Sequence, residues 1–396
     1  MRLSQLFVKT YKSISSDEPS INAQYLIRWW FVHKEMAGVY TFLPFWLRVL
    51  HKIESIIRKH MDTVGTEILM PALCPKENRI QSGRWDTVDV LMKTTGANEA
   101  SKNKSTNEYA LCPTHEDIVT PLLKEFVQSH KDLPRAVYQI QTKYRNEARA
   151  KSGLLRGREF RMKDLYSFHT SVEDLRSYYD NMKVVYKNIF DDLWIGGDTF
   201  ITVASGGDFT TDFSHEFQTL CDVGEDEIYL DRKNNIAYNK EVVSPENENK
   251  FGISFADLEI VSASEVGNIF PLHTKFSEAF DLSYTDKDNS KKHAVMWCYG
   301  IGPSRIMGVI VEKFHDDKWI LRPKQIAPFT KIIVCAGDAY LDAALEEYNT
   351  LKVQWEDVAL DDRDLWFGSK MSDWELRGIP EAIIIGKNGK EVRQRV

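Results

Sequence analysis

The chain has 396 residues, 43% of them hydrophobic, and a formal net charge of −7. This length allows a sizeable core and predicts two or three domains, while the acidic balance excludes a protein that coats nucleic acid over its whole surface. No apolar run reaches the ~20 residues of a membrane-spanning helix, and five cysteines without a Cys-x-x-Cys pair fit a reducing compartment.

The first sixteen residues are basic, contain serines and lack acidic side chains. This composition is compatible with a transit peptide. We expect instead that Leu3, Leu6, Phe7 and Val8 begin the folded domain.

The first half of the chain is expected to begin with helix. Residues 22–62 are predicted to be largely helical, because apolar residues recur at helical spacing within 51–61. A strand is expected to begin at 68–70, and the polar segment 96–108 is predicted to be a loop. A further helix is expected to open at Pro113-Thr114-His115-Glu116 and to run to about Gln128.

A hairpin is predicted next. Residues 138–145 alternate like a half-buried strand, Ser152-Gly153 supplies turn chemistry, and 159–168 resumes as a second antiparallel strand. Strand spacing places Arg145 and Glu147 on one face. Arginine can bind a phosphate or carboxylate, and glutamate can accept a hydrogen bond from an amine such as that of adenine. The hairpin therefore predicts a site for two ends of ATP, although such charges are also typical of an exposed, solvated hairpin.

The second half contains a predicted loop at 244–250 and a hairpin tip at 285–292. An apolar strand at 294–299 is expected to stop at Gly300-Ile301-Gly302-Pro303, and a helix follows over 304–314.

Two prolines mark 323–330 as a linker, and a second domain is expected from Lys331. Strands alternate with helices there, which predicts a small, mainly parallel α/β domain. The predicted strands are 332–336, 356–360 and 382–385, and the helices are 340–352 and one near Asp373.

Three segments in this order resemble the motifs of class II aminoacyl-tRNA synthetases. They are GTEILMPAL at 65–73, YRNE through GREF at 144–160, and YGIGPSRIMGVIVE at 299–312. MRLSQLF at the start of the chain and EVGNIFPLHTKFSEAF at 265–280 make the chain similar to bacterial-type prolyl-tRNA synthetases over nearly its whole length.

The resemblance implies an α/β protein with an α+β catalytic domain, in which helices flank an antiparallel sheet, and a small C-terminal α/β anticodon-binding domain. The implied boundaries are 1–322 for the catalytic domain, 323–330 for the linker and 331–396 for the anticodon-binding domain. It also implies a cytoplasmic homodimer that activates L-proline with ATP and charges tRNA(Pro) in protein biosynthesis.

The family's site residues map onto this sequence position by position. Arg145 and Arg305 are the implied catalytic residues. The implied proline-binding residues are Thr114, Glu116, Arg145, Asp164, Tyr166 and Phe270. The implied ATP-binding residues are Arg145, Glu147, Arg156, Phe160, Glu265, Asn268 and Arg305. Mg²⁺ is expected to assist, zinc is not expected, and no catalytic base is required, because preorganised arginines can stabilise the charge that develops on the α-phosphate.

The sequence departs from the family pattern at several positions. Cys112 and His115 replace an arginine and a serine beside the proline subsite, Asn268 replaces a histidine, and Trp46 replaces a glycine near the expected dimer-forming region. Only 130 positions separate His169 from Tyr299, so the editing insertion of many bacterial relatives is expected to be absent.

Two other functions remain open. Cys112 lies where threonyl-tRNA synthetases carry a zinc-binding cysteine, but Tyr166 stands where the first histidine ligand would be. A synthetase-like regulatory or RNA-binding protein without catalysis is the other alternative. The last basic residues are either a frayed tail or an RNA contact, and they are Lys387, Lys390, Arg393 and Arg395.

Overall fold

The computed structural model describes residues 1–6, 20–28, 31–105, 107–150, 152–207, 212–315 and 323–395. Its α-helices are α1 Ile21–Arg28, α2 Pro44–Met61, α3 Lys76–Gln81, α4 Glu99–Lys102, α5 Glu116–Lys124, α6 Val172–Asp192, α7 Pro245–Phe251, α8 Lys275–Ala279, α9 Pro303–Lys313, α10 Leu341–Val353 and α11 Phe367–Arg377. Short 3-10 helices lie at Leu3–Gln5, His130–Asp132, Gly196–Asp198, Lys240–Val242, Phe255–Asp257 and Asp338–Tyr340.

The strands of the first part of the chain are β1 Val32–Met36, β2 Val39–Phe42, β3 Thr66–Glu67, β4 Leu73–Pro75, β5 Met92–Thr94, β6 Tyr109–Leu111, β7 Arg135–Tyr144 and β8 Glu159–His169. Those that follow are β9 Thr199–Ser205, β10 Phe213–Leu220, β11 Asp226–Asp231, β12 Ile236–Asn239, β13 Glu259–His273, β14 Ser283–Thr285, β15 Lys291–His293, β16 Val295–Ile301, β17 Lys331–Cys335, β18 Val358–Asp361, β19 Glu381–Gly386 and β20 Gly389–Gln394.

A nine-stranded sheet forms the centre of the N-terminal part, in the order β10-β9-β12-β11-β13-β16-β8-β7-β3. Neighbouring strands are antiparallel except for the β9–β12 and β3–β7 pairs. Helices α2, α6 and α9 pack together against one face, where they bury a large apolar core. The opposite face carries a cavity, and the three-stranded sheet β4-β6-β5 lies beside it. This confirms the expected antiparallel sheet flanked by helices.

The C-terminal part has a four-stranded sheet in the order β18-β17-β19-β20. Strands β17, β18 and β19 are parallel, as the alternation of strands and helices predicts, and β20 is antiparallel. The prediction missed β20, which forms an exposed edge of this sheet. Lys390 and Arg393 lie in that strand, so the prediction of a frayed tail is wrong for them.

The two parts share a core. Ile326 and Phe329 are buried together with residues of α2 and of the C-terminal sheet. Asp357 accepts hydrogen bonds from Arg48 and Lys52 of α2 at 2.5 and 2.6 Å. The C-terminal part therefore packs directly against the helical face of the N-terminal part.

The segment 22–62, predicted to be largely helical, contains α1 and α2, but a hairpin of β1 and β2 that was not predicted separates them. Gly38 makes the turn with a φ of +76°, and a side chain there would collide with the backbone of Arg158. The Gly38 carbonyl accepts a hydrogen bond from the Arg158 amide at 2.8 Å. The sequence signal for the turn was present at Gly38, but the apolar pattern on either side of it was interpreted as helix.

Two further predictions of local structure are wrong. The strand expected to begin at 68–70 is the two-residue strand β3, which ends before residue 68. At Met70 the backbone amide bonds to the Gln139 side chain at 2.9 Å and not to the backbone of a neighbouring strand. The loop expected at 244–250 is α7, whose first turn is capped by the Ser244 hydroxyl and whose last residue precedes a left-handed Gly252. Ser244 before the helix and Gly252 after it are the capping residues that would have indicated a helix. The expected loop at 96–108 also contains the short helix α4.

Other expectations hold. The predicted hairpin is β7 and β8, paired from Arg135 with Phe168 to Tyr144 with Glu159, and Ser152 and Gly153 both have left-handed backbones. Leu3 is buried in the shared core, whereas Phe7 and Val8 lie outside the described residues. Within the described ranges, every helix is too short or too polar to cross a lipid bilayer.

Candidate active site

A cavity of about 370 Å³ opens on the face of the nine-stranded sheet that is not covered by α2, α6 and α9. All twelve residues that the sequence analysis assigned to a site line this one cavity. They are Thr114, Glu116, Arg145, Glu147, Arg156, Phe160, Asp164, Tyr166, Glu265, Asn268, Phe270 and Arg305. The segments that supply them are far apart in sequence and are brought together by the pairing of β7, β8, β16 and β13.

Strand β8 places its side chains alternately in the cavity and in the core. Phe160, Asp164 and Tyr166 line the cavity. Arg161 and Lys163 lie on the other face, where they bond to Glu54 of α2 and Tyr186 of α6. The period of two in a β-strand thus separates the residues available to a ligand from those that attach the sheet to its helices.

Arg145 and Glu147 do not share the face of a strand as predicted, although both line the cavity. Strand β7 ends at Tyr144, and the Glu147 amide donates a hydrogen bond to the Arg145 carbonyl at 2.8 Å, as in a tight turn. The loop after the strand, and not strand alternation, directs the two side chains into the cavity.

One end of the cavity carries a buried carboxylate, Glu116, in the first turn of α5. Arg84 donates to Glu116 at 2.9 Å and to the Thr114 hydroxyl oxygen at 3.2 Å, and the Tyr166 hydroxyl donates to Glu116 at 3.2 Å. Burial alone would raise the pKa of Glu116, but the charge of Arg84 and the hydrogen bonds from Thr114 and Arg84 bring it down to about 2. This end of the cavity therefore presents a permanent negative charge.

Asp164 lines the same cavity, and each of its two carboxylate oxygens has a partner. Lys143 pairs with it at 2.6 Å, and the Gln139 amide donates to its other oxygen at 3.0 Å. Lys143 also donates to Nδ1 of His115, whose Nε2 donates to the Pro71 carbonyl at 3.0 Å. Burial and then the charge of Lys143 lower the pKa of His115 to about 4, so its ring is neutral. These contacts fix the position of Asp164 on the cavity surface. His115, one of the departures from the family pattern, contributes by holding Lys143.

Arg145 lines the cavity, and the charges of both Arg305 and Glu116 act on it. Its guanidinium is 5.3 Å from the centre of the Phe160 ring, and among the described residues it has no ion-pair partner. Burial and the charge of Arg305 lower its pKa, although an arginine stays protonated at any ordinary pH. An arginine placed this way is a binding group for an anion that is not part of the chain.

The end of the cavity opposite Glu116 carries two arginines, each paired with glutamate side chains. Arg156 binds Glu147 at 2.7 Å and Glu225 at 3.3 Å. Arg305, in the first turn of α9, donates to the Glu265 carbonyl at 2.6 Å and to its carboxylate at 3.1 Å. These pairs fix the orientation of both arginines at the edge of the cavity.

Glu216 is a site residue that the sequence analysis missed. It lies on β10 beside the cavity, where Gln218 and Asn268 donate to its carboxylate at 2.8 and 3.3 Å. Burial and then the charge of Glu265 raise its pKa to about 8. The sequence offers no local signal for this residue, because only the β10–β13 pairing brings it next to Glu265 and Asn268.

The carboxylates and amides around Glu216 could together bind a magnesium ion. Glu216 and Glu265 offer carboxylate oxygens, and the amide oxygens of Asn268 and Gln218 are buried without a hydrogen-bond partner in the described part of the chain. Oxygen donors of this kind are those that Mg²⁺ prefers. A divalent cation there would also remove the like-charge repulsion that raises the pKa of Glu216.

Cys112 is not part of a metal cluster in the described residues. Its thiol is buried in a small apolar group with Cys74 and Trp85, and it hydrogen-bonds to Cys74. The Tyr166 hydroxyl accepts from the His115 amide and donates to Glu116. No group of three His, Cys, Asp or Glu side chains with metal-binding geometry occurs among the residues that the structure describes.

Comparison with known proteins identifies both parts of the chain. Residues 99–314 match the tRNA synthetase class II core domain (G, H, P, S and T), and residues 331–395 match an anticodon binding domain. A proline-tRNA ligase of Sulfurimonas denitrificans is 35% identical over 409 residues, which cover 98% of this chain and 92% of that protein. A proline-tRNA ligase of a Sulfurihydrogenibium species is 31% identical over 541 aligned residues, covering 99% of this chain and 94% of that protein.

Solved structures share the fold. A prolyl-tRNA synthetase of Cryptosporidium parvum, complexed with halofuginone and AMPPNP, superposes with a TM-score of 0.73 at 18% identity, covering 94% of this chain and 70% of that chain. A Giardia lamblia prolyl-tRNA synthetase in complex with prolyl-adenylate gives a TM-score of 0.71 at 20% identity, covering 92% and 72% of the two chains.

Proposed function

The chain belongs to the proline-tRNA ligase family of class II aminoacyl-tRNA synthetases, and from this we propose that it joins L-proline to ATP as prolyl-adenylate and transfers the prolyl group to tRNA(Pro). The observation that carries the proposal is the position of Arg145. Its guanidinium lacks an ion-pair partner among the described residues and lines the same cavity as Glu116 and Arg305, whose charges both act on it.

The Glu116 end is proposed to bind proline. Glu116 and Thr114 would accept hydrogen bonds from the secondary ammonium group, which the permanent charge of Glu116 attracts. Arg145 would bind the carboxylate. Phe270, Tyr166 and the fixed Asp164 would surround the pyrrolidine ring, so that a mostly apolar pocket with few polar contacts sets the orientation.

The opposite end is proposed to bind ATP. Phe160 would stack against adenine, and Glu147, which Arg156 holds in place, would accept a hydrogen bond from the exocyclic amine. Arg145 would bind the α-phosphate and Arg305 the γ-phosphate, with Glu265 and Asn268 beside them. Since Arg305 pairs with the Glu265 carboxylate here, ATP binding would exchange that carboxylate for a phosphate.

The proposed chemistry needs positioning and charge stabilisation. The proline carboxylate attacks the α-phosphorus, the bond to the bridging oxygen breaks, and pyrophosphate leaves. Negative charge builds on the equatorial oxygens, where Arg145 is already directed without reorganisation. Glu216, Glu265, Asn268 and Gln218 would hold Mg²⁺, which neutralises phosphate charge when bound.

The remaining assignments are also proposals. We propose a catalytic domain at 1–322, a linker at 323–330 and an anticodon-binding domain at 331–396, which agrees with the two matched regions. We further propose a homodimer in the cytoplasm, as the first class motif implies. The exposed Leu69, Leu73 and Phe126 near that motif offer apolar surface for a second subunit.

We propose that the enzyme has no editing centre of its own and no zinc. The alignment with the Sulfurihydrogenibium relative spans 541 positions, although this chain has 396 residues, so that relative contains additional segments. In this chain the interval between β8 and β16 contains helix α6 and strands β9 to β13. The threonyl and non-catalytic alternatives are not favoured, because the similar proteins are proline-tRNA ligases and prolyl-tRNA synthetases, one of them in complex with prolyl-adenylate.

Amino-acid-dependent exchange of pyrophosphate into ATP tests this function. We expect exchange with proline, weak exchange with alanine and none with threonine. A chelator selective for zinc should leave the rate unchanged. Exchange that requires threonine, or that is lost when zinc is removed, would contradict the proposal.

A further inference from the structure

Four charged side chains at the amino-acid end of the cavity, two of which line it, alternate in sign. Arg79 pairs with Asp117 at 2.6 Å, Arg84 donates to Asp117 at 3.0 Å, and Arg84 donates to Glu116 at 2.9 Å. All four are buried. Each carboxylate thus has an arginine beside it, as buried charges require.

The network joins three separate segments. Arg79 belongs to α3, Glu116 and Asp117 begin α5, and Arg84 lies in the connection between them. Arg84 also places its guanidinium 5.4 Å from the ring centre of Phe276 in α8. The position of Arg84 is therefore set by contacts on several sides.

Arg84 contacts both residues that are proposed to bind the proline nitrogen. One of its amino groups bonds to Glu116 and the other to the Thr114 hydroxyl oxygen at 3.2 Å. Because Arg84 donates to that oxygen, the Thr114 hydroxyl hydrogen is directed elsewhere, and it donates to Glu116. A single guanidinium thereby orients both polar groups.

We propose that Arg84 is a positioning residue of the amino-acid subsite, which keeps Glu116 ionised and holds Thr114 in the orientation that receives a secondary ammonium group. This inference rests on the proposed function. Arg84 acts through Glu116 and Thr114, and it is not assigned to contact the substrate.

The electrostatic consequence is specific. The Arg84 charge is the largest influence that offsets burial at Glu116 and keeps its pKa at about 2. Without Arg84, burial would raise the pKa of Glu116 towards neutrality. A protonated Glu116 would lose its attraction for an ammonium group, so proline use would weaken as the pH falls.

The test is proline-dependent pyrophosphate exchange between pH 6 and 9 with wild type, Arg84→Met and Arg84→Lys. Arg84→Met should raise KM for proline about tenfold or more at pH 7, leave KM for ATP unchanged, and make kcat/KM for proline fall relative to wild type as the pH decreases. Arg84→Lys keeps the positive charge but loses the two amino groups that bond to Glu116 and Thr114 together. Its kcat/KM for proline, relative to wild type, should therefore not change with pH, and its affinity for proline should be only partly restored.

Arg161→Met is the matched control. Arg161 is also an ion-paired arginine, bound to Glu54 at 2.9 Å, but it lies on the core face of β8 and outside the cavity. Its loss should lower the melting temperature and leave the pH profile of proline use unchanged. An equal profile change in this control would mean that general destabilisation, and not Arg84, is responsible.

A double variant keeps the inference falsifiable if Arg84→Met does not fold. Arg84→Met with Glu116→Gln removes both charges of the pair, so no buried charge is left uncompensated. Since Arg84 acts in part through Glu116, the loss in the double variant should be smaller than the sum of the losses in Arg84→Met and Glu116→Gln. Fully additive losses, or an Arg84→Met profile parallel to wild type, would overturn the inference. A wild-type enzyme without proline-dependent exchange would instead refute the proposed function.

Discussion

Replacing Arg145 should greatly lower the rate of pyrophosphate exchange without lowering the free energy of unfolding. The guanidinium has no ion-pair partner in the described structure, and burial with the charge of Arg305 disfavours its charge. Arg145→Met therefore breaks no ion pair within the described chain, and we expect the free energy of unfolding to stay level or to rise by up to ~1 kcal/mol. The residue would be retained for its ligand and not for the fold.

The expected kinetic loss is large. Arg145 is proposed to contact the proline carboxylate and the α-phosphate, where charge develops in the transition state. Losing such a donor costs about 3 kcal/mol or more, which is a decrease in rate of about a hundredfold. Arg145→Lys should lose nearly as much, since one ammonium group cannot bridge both reactants as a guanidinium does.

The assay is pyrophosphate exchange at saturating proline and ATP, together with thermal unfolding of the same samples. Arg135→Lys is the control, because Arg135 lies at the other end of β7, is exposed, and bonds to the Asp132 carbonyl outside the cavity. It should exchange at the wild-type rate. An Arg145→Lys enzyme within threefold of wild type, or an Arg145→Met chain that is strongly destabilised, would refute the reasoning.

Three other outcomes are expected. Glu216 has a pKa raised to about 8 when folded, so the unfolded state loses its proton first and stability should fall as the pH rises from about 5 to 8. Glu216→Gln should flatten that melting-temperature profile, and an equally steep profile would contradict the pKa shift. Asp357→Ala removes the contacts with Arg48 and Lys52; it should reduce tRNA charging more than pyrophosphate exchange, and equal losses would count against an anticodon-domain role. Purified enzyme should leave alanyl-tRNA(Pro) intact beyond its spontaneous hydrolysis, and rapid deacylation that survives repurification would reveal an editing centre.

The sequence predicts the elements whose signals are local. Period-two alternation identified β7, and strand–helix alternation identified the parallel core of the C-terminal sheet. It failed where one signal concealed another, as at Gly38, whose turn interrupts an apolar pattern that was interpreted as one helix. It also missed β20, because an exposed edge strand of charged residues has no apolar alternation to detect.

The site was predicted through motif resemblance, and physical reasoning from single residues added less. Arg145 and Glu147 reach the cavity by a loop, although strand alternation was the reason given for placing them together. Arg84 and Glu216 were missed, since their roles depend on neighbours distant in sequence. Such partners become visible only when strand register and helix packing are known.

Charging of tRNA(Pro) with radiolabelled amino acids tests the central claim most directly, because it requires activation, transfer and tRNA recognition by the same chain. Wild-type protein with ATP and Mg²⁺ should attach proline to tRNA(Pro) and should not attach threonine to tRNA(Thr). Attachment of threonine, or no attachment of proline by protein that is folded and binds ATP, would contradict the account.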